Sequence, residues 1–267
     1  MPRSIQLLLV DPQYDFCDLP GAALPVAGAD ADLRRAAALV DRCGHLFSDI
    51  HVTLDSHSPL DIAHPCWWRD AQGQRPEPFT VIGEEDLAAG RWLAADPAQA
   101  AASLAYVRAL AERGRHQLVV WPEHCLVGTP GHNIHPAVMQ AIGAWGRGRL
   151  RAPCFIWKGL SPNTEHYSAL RAEVPDPNDP RTLPDRGWLA RLAQADTLLI
   201  AGEALSHCVA NTVRDLVELL GADSARKMVL LEDCCSTIAG FENLSTQFLA
   251  DMGRLGMQVR RSDTLYS

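Results

Sequence analysis

Short apolar runs of strand length alternate along this chain with stretches of helical period. Residues 5–10 form an apolar run that ends at Asp11-Pro12. Its length and continuity predict a buried parallel strand with an acid at its C-terminal end. Residues 30–46 place Leu33, Ala37, Leu39 and Val40 at helical spacing, and a second strand is expected over 50–54, ending at Asp55. Further on, the pattern predicts an Ala-rich helix over 100–113, a third strand over 117–121 ending at Pro122, and a helix over 135–145. A fourth strand over 154–157 ends at Lys158, and a short helix over 188–195 precedes a fifth strand over 197–201. Residues 228–231 read as a sixth strand, 241–253 as a helix and 257–260 as a last edge strand.

The run from Leu198 to Asp215 organises the rest. It starts as a strand, turns at Gly202 and continues as an amphipathic helix with Val209, Val213, Leu216 and Leu220 on one face. Cys208 falls where that helix starts. Unpaired backbone N–H groups and the positive end of the helix dipole favour a thiolate there.

The β–α alternation predicts a three-layer α/β/α fold with a mostly parallel six-stranded sheet. Such sheets bind ligands beyond the carboxyl ends of their strands. Asp11, Asp55, the Trp121–Cys125 run, Lys158 and Cys208 all fall at such ends. Residues 1–267 read as one domain with an extended insertion at about 58–98, rich in Pro, Gly and Trp and without a clear period. Trp67, Trp68 and Trp92 in that insertion read as a packed satellite core rather than as substrate contacts. Residues 173–184, rich in Pro and Asp, read as a loop.

Composition narrows the partners. Hydrophobic residues make up 47% of the 267 and charged residues 21%, an ordinary globular balance with ample material for a core. The net charge of -8 disfavours nucleic acid and anionic membrane as partners. No apolar run approaches the roughly 20 residues of a membrane span, and the N-terminal run is too short for a signal peptide. A cytoplasmic protein with a small-molecule partner is expected, and a homo-oligomer is compatible with this composition. The eight cysteines contain no C-x-x-C pair, which argues against a zinc ribbon or a dithiol redox centre. Adjacent Cys234 and Cys235 read as core and strand-end residues.

Two constellations carry chemistry. Asp11, Lys158 and Cys208 together offer a proton acceptor, a cation for charge balance and a nucleophilic thiol. Asp55 and His57, two apart in an extended segment, project to one side. A further His from the neighbouring strand end, His124, completes a facial Asp/His/His set suited to Zn, Fe or Mn with open positions. His64 reads as a fourth ligand, a substrate contact or a buried histidine satisfied by backbone. His132 and His135 read as loop and helix-start residues, and His45, His51, His116 and His166 as surface or structural.

In four blocks the chain resembles the isochorismatase-like cysteine hydrolases, and within them the nicotinamidase (pyrazinamidase) branch. Asp11-Pro12-Gln13-Tyr14-Asp15-Phe16 is similar to a D-x-Q-x-D-F opening. The run from Trp121 to Gly131 is similar to W-P-x-H-C-x-x-G-T-x-G, and Lys158-Gly159 with Tyr167-Ser168-Ala169-Leu170 resembles the lysine strand with its Y-S-A-F segment. The stretch from Gly202 to Thr212 resembles G-x-A-T-D-x-C-V-x-x-T. The resemblance implies a metal-dependent amidohydrolase that turns nicotinamide into nicotinate and ammonia through a thioester, in pyridine-nucleotide salvage. It assigns Cys208 as nucleophile, Asp11 as general acid/base and Lys158 as third triad member. It gives Asp55, His57 and His124 one divalent metal ion per subunit. It places an oxyanion hole at the N–H groups of Ala204 and Cys208, with a cis peptide between Glu203 and Ala204. Phe16 and Trp121 would flank an aromatic ring, with Tyr167 nearby.

The chain departs from that pattern at Leu205-Ser206, where Thr-Asp is usual, and at Glu203, where a small apolar residue is common. Two alternatives stand beside the nicotinamide reading. One is a related cysteine hydrolase acting on another small amide or carbamoyl compound. The other is a non-catalytic binding protein on the same fold, against which the intact Asp11, Lys158 and Cys208 argue.

Overall fold

Strand β1 (Ile5–Val10) is buried along its whole length and lies inside the main sheet. The computed structural model describes residues 4–266. After β1 the strands are β2 (Phe47–Asp55), β3 (Trp68–Arg69), β4 (Val81–Ile82), β5 (Leu93–Ala94), β6 (Leu118–Val119), β7 (Cys154–Lys158), β8 (Thr197–Gly202), β9 (Met228–Leu231) and β10 (Gln258–Arg260). The helices are α1 (Ala29–Cys43), α2 (Glu84–Ala88), α3 (Ala100–Arg113), α4 (Pro136–Arg149), α5 (Arg186–Ala193), α6 (Ala210–Leu220) and α7 (Glu242–Arg254). Among the described residues no helix is long and apolar enough to cross a membrane.

Six strands form the central sheet in the order β10-β9-β8-β1-β2-β7, and every pairing in it is parallel. Successive side chains of a strand point to opposite faces, so β1 feeds two cores. Leu8 and Val10 pack with Ile200, Val213, Leu216 and Phe248, while Leu7 and Leu9 pack with Leu33, Val40, Val138 and Ile142. Helices α6 and α7 therefore cover one face, and α1 and α4 the other. Leu7, Leu8 and Leu9 are wholly inaccessible, and each such side chain contributes roughly 1.5–3 kcal/mol by leaving water.

The expected third strand is a correction. Residues 117–121 do not join the central sheet; only Leu118–Val119 is a strand, and it pairs antiparallel with β4 of the insertion. The insertion takes up the polar backbone of this apolar run. Val120 N–H donates to Thr80 O at 2.8 Å and Trp121 N–H to Ala63 O at 2.7 Å. The sixth place in the sheet goes to β10, the edge strand at the C-terminal end. Boundaries also move: α1 stops at Cys43 and a 3-10 turn follows, so β2 starts at Phe47, and α4 runs on to Arg149. Before α6, Leu205–Val209 forms one wider π-type turn.

The insertion has short elements of its own, with β3 antiparallel to β5. Trp67 and Trp68 are buried in the same core as Leu8 and Val10, and Trp92 packs against it, so no separate satellite core exists there. Their indole N–H groups are used: Trp67 donates to Ser103 Oγ at 3.0 Å and Trp68 to Ile62 O at 2.7 Å.

Candidate active site

Neighbouring strands β8, β1, β2 and β7 end together, and their registers bring Val10 opposite Gly202 and Asp55 opposite Lys158. The chain turns sharply at each end. Asp11 sits at φ 43, a left-handed conformation rare for a residue with a side chain. Its N–H donates to Thr53 Oγ1 at 3.0 Å, and the Thr53 hydroxyl donates back to Asp11 Oδ1. Gly202 has φ +118, and a Cβ there would lie 1.9 Å from Val10 O, so only glycine lets β8 lie this close to β1. The next peptide, Glu203–Ala204, is cis.

Lys158 is the hub. Its ammonium, 1% exposed, lies 3.0 Å from Asp11 Oδ2, 2.8 Å from Asp55 Oδ1 and 3.6 Å from Cys208 Sγ, and donates to His166 O at 2.8 Å. Burial disfavours its charge, but Asp11 and Asp55 outweigh that and hold its pKa well above the usual lysine value. The three residues Asp11, Lys158 and Cys208 are therefore in mutual reach. Burial pushes the Cys208 thiol well above its ordinary pKa; Lys158 works against this, while Asp11 and Asp55 add to it. Sequence position alone favoured a resting thiolate. In the structure full burial and two carboxylates oppose the helix start and push the thiol pKa up. Burial likewise raises Asp11, with Lys158 opposing. Thiol and acid are thus poised to exchange one proton.

Asp55, His57 and His124 converge, with ligand atoms all within 4.8 Å of one another. Carboxylates and carbonyls only accept, so both Nδ1 atoms carry protons, and against burial Asp55 with Asp61 holds the His57 pKa well above the usual imidazole value. His57 Nδ1–H donates to Asp61 at 2.9 Å and His124 Nδ1–H to Pro122 O at 2.9 Å. Both Nε2 atoms then face Asp55, at 3.1 and 3.4 Å. Burial would raise the Asp55 carboxyl, but His57 and Lys158 hold it well below the usual range. His64 is wholly buried with its ring 5.1 Å from that of His57 and 5.3 Å from that of His124. Burial drives its pKa down to about 2.

Beside Cys208 lies a narrow cavity lined by Phe16, Leu24, Trp121, Tyr167, Ala204 and Ile238, with Asp55, His124, Glu165 and His207 as its other polar groups. Trp121 Nε1 donates to the Tyr167 hydroxyl at 3.0 Å, which locks two aromatic walls together. Phe16, Trp121 and Tyr167 therefore stand where a ring would lie. His64 does not line this cavity; a turn closed by its N–H to Asp61 O at 2.9 Å packs its ring against those of His57 and His124 instead.

Four participants were not singled out from sequence. Gln13 clamps Asp55, accepting its N–H at 2.7 Å and donating to its carbonyl at 2.8 Å. Asp15 accepts Cys125 N–H at 2.7 Å and so ties the His124 loop to the end of β1. Both lie in the opening block and were legible there as spacing, without a role. Glu165, two residues before Tyr167, and His207, adjacent to Cys208, face the cavity, and only their neighbours in sequence hinted at that.

No family model matches the chain. Over 223 residues it is 29% identical to a nicotinamidase of Escherichia coli, covering 82% of this chain and 78% of the relative. A nicotinamidase/pyrazinamidase structure from Acinetobacter baumanii superposes with a TM-score of 0.67 at 24% identity, covering 99% of each chain. The pyrazinamidase of Pyrococcus horikoshii in complex with zinc superposes with a TM-score of 0.55 at 19% identity, over 97% of this chain and 99% of that one. Over most of its length the chain is therefore similar in sequence to a nicotinamidase and shares the fold of these hydrolases, in agreement with the strand-end constellation.

Proposed function

We propose that this chain hydrolyses a small aromatic amide, with nicotinamide as the first substrate to test, giving the carboxylate and ammonia through a thioester on Cys208. The observation that carries the reading is the Lys158 ammonium, which lies within reach of Asp11, Asp55 and the Cys208 thiol at once. Asp11 takes the thiol proton as sulfur attacks the amide carbon, and Lys158 balances the charge that moves between them. The N–H groups of Ala204 and Cys208 are the donors for the oxyanion. Asp11 then hands its proton to the departing nitrogen as the C–N bond breaks. In the second half Asp11 takes a proton from water, whose oxygen attacks the thioester, and sulfur leaves and is reprotonated.

One divalent metal ion fits Asp55, His57 and His124: with both Nδ1 atoms held as donors, the two Nε2 atoms and a carboxylate meet there, and a cation would displace the His57 Nε2 proton that faces Asp55. Zinc, iron and manganese all suit this donor set, and the zinc held by the Pyrococcus relative supports the first. Bound there, the metal supplies a positive anchor for a pyridine nitrogen, directly or through water. Phe16, Trp121 and Tyr167 sandwich the ring and exclude water. His64 backs the ligands. The polar Glu165 and His207 in the same wall favour a second reading, a substituted or different small amide or carbamoyl compound.

Ammonia release from nicotinamide by protein loaded with zinc, iron or manganese tests the reading. Activity is expected with at least one metal, lost on chelation and restored on re-addition; activity that survives complete metal removal contradicts the metal role. Asp61 orients His57, so Asp61→Ala is expected to weaken metal affinity by about 10–100-fold. Competition against a chromogenic chelator measures this, and an unchanged affinity counts against His57 as a ligand.

A further inference from the structure

Glu203 plays no part in the reaction above and is wholly buried. Its Oε2 accepts the N–H of Ser236 at 3.1 Å. Ser236 also reaches the other side of the cis peptide, because its carbonyl accepts Leu205 N–H at 2.8 Å. Its hydroxyl donates to Asp32 Oδ2, and Arg35 donates to Asp32 and to the carbonyl of Asp233. One residue, Ser236, thus ties the Glu203 side chain on one side of Ala204 and the Leu205 backbone on the other, and Ala204 lines the cavity beside Cys208. Glu203 N–H is itself tied to Val10 O at 2.9 Å, the carbonyl that precedes Asp11.

We propose that Glu203 is a positioning residue: acting through Ser236, it fixes the segment Glu203–Leu205 and so holds the Ala204 amide where a developing oxyanion forms. The inference rests on the hydrolase reading above. Its second observation is an orphan: Glu203 Oε1 is buried and meets no donor among the described residues. The carboxylate that bears on it is Asp32. A carboxylic acid resolves this, because Oε1–H donates to Asp32 while Oε2 still accepts from Ser236. Burial pushes Glu203 well above the ordinary carboxylic range, Asp32 and Asp18 push the same way, and the Ser236 bond opposes them. The other titratable groups on which Glu203 bears are the thiols of Cys17 and Cys235, and the cation nearby is Arg35, bonded to Asp32. Ionising Glu203 places a second negative charge beside Asp32, directly behind the oxyanion donors.

Gln at this position keeps an acceptor for Ser236 and a donor for Asp32; Ala keeps neither. In metal-loaded full-length protein, Glu203→Gln is expected to hold kcat within about threefold of wild type, while Glu203→Ala lowers kcat by about 10²-fold with little change in KM, the effect of a misplaced catalytic group. The pH profile separates positioning from bulk structure. Wild-type kcat is expected to fall at high pH as Glu203 ionises, and Glu203→Gln to lack that limb. Stability follows the same linkage: an acid whose folded pKa is raised contributes fully below its unfolded value near 4.5 and loses that contribution as pH rises through the folded value. The Tm advantage of Glu203→Gln over wild type should therefore grow with pH. Wild-type kcat in folded Glu203→Ala, equal losses in Gln and Ala, or a Tm difference flat in pH would each overturn the proposal. A wild type that hydrolyses no small amide sinks the hydrolase reading separately, and the substrate-free Tm series still decides the Glu203–Asp32 pair.

Discussion

Cys208→Ala is expected to lower amide hydrolysis by roughly 10⁴-fold or more, about 5.5 kcal/mol of transition-state stabilisation. Among the described residues only Cys208 offers a thiol to both Lys158 and Asp11. Cys125, the other thiol nearby, is completely buried, and burial with Asp55, Asp15 and Asp11 raises it well above the usual thiol value against the pull of Lys158. Removing Sγ leaves the Lys158–Asp11–Asp55 charge network in place, so the fold should survive. Steady-state ammonia release, with circular dichroism as the check on folding, measures the loss. Retention of more than about one per cent of wild-type activity, a loss under 10²-fold or 2.7 kcal/mol, contradicts the assignment.

The second large effect is on stability. Lys158→Met puts an apolar chain of similar length where a buried ammonium neutralises two buried carboxylates. Asp11 then loses its cation, and Asp55 keeps only His57. Breaking a buried pair from one side costs about 3–5 kcal/mol, which for a domain of this size lowers Tm by roughly 6–20 °C. The sign with pH follows from the charges. Both acids are ionised above their titration range, so the penalty is largest at neutral pH and shrinks on acidification, as one of them takes a proton. Thermal melts of wild type and variant across pH test this; a deficit that is absent at neutral pH, or that grows on acidification, counts against Lys158 as the neutralising group. Activity should be lost as well, because the thiol then has two carboxylates and no ammonium beside it.

Much of the sheet could be read from sequence because its strands are apolar runs of the right length, each ending in a polar residue. Asp11, Asp55, Lys158 and Cys208 are legible in the sequence as strand-end residues, and the structure gathers the other three around the Lys158 ammonium. Residues 117–121 show where that reasoning stops. An apolar run carries no information about which strand satisfies its backbone, and here the insertion does so through β4 and Thr80. The upward push on the Cys208 pKa is not legible in sequence for a related reason. A helix start is a local feature, whereas the burial and the two carboxylates that raise the thiol come from β1 and β2. Glu165, His207 and the Glu203–Asp32 contact depend on pairs far apart in the chain, and no periodicity records them. Gln13 and Asp15 lie between: their spacing was evident, but their clamps on Asp55 and Cys125 needed the fold.

The central claim is that catalysis passes through an acyl group on one sulfur. Rapid acid quenching of the metal-loaded enzyme during turnover of nicotinamide, followed by peptide mapping by mass spectrometry, tests it most directly. The account predicts the acyl group of the substrate on Cys208 and on no other residue, present during turnover and gone when the substrate is exhausted. An acyl group found on a different side chain, or turnover with Cys208 unmodified from the first milliseconds onward, contradicts it.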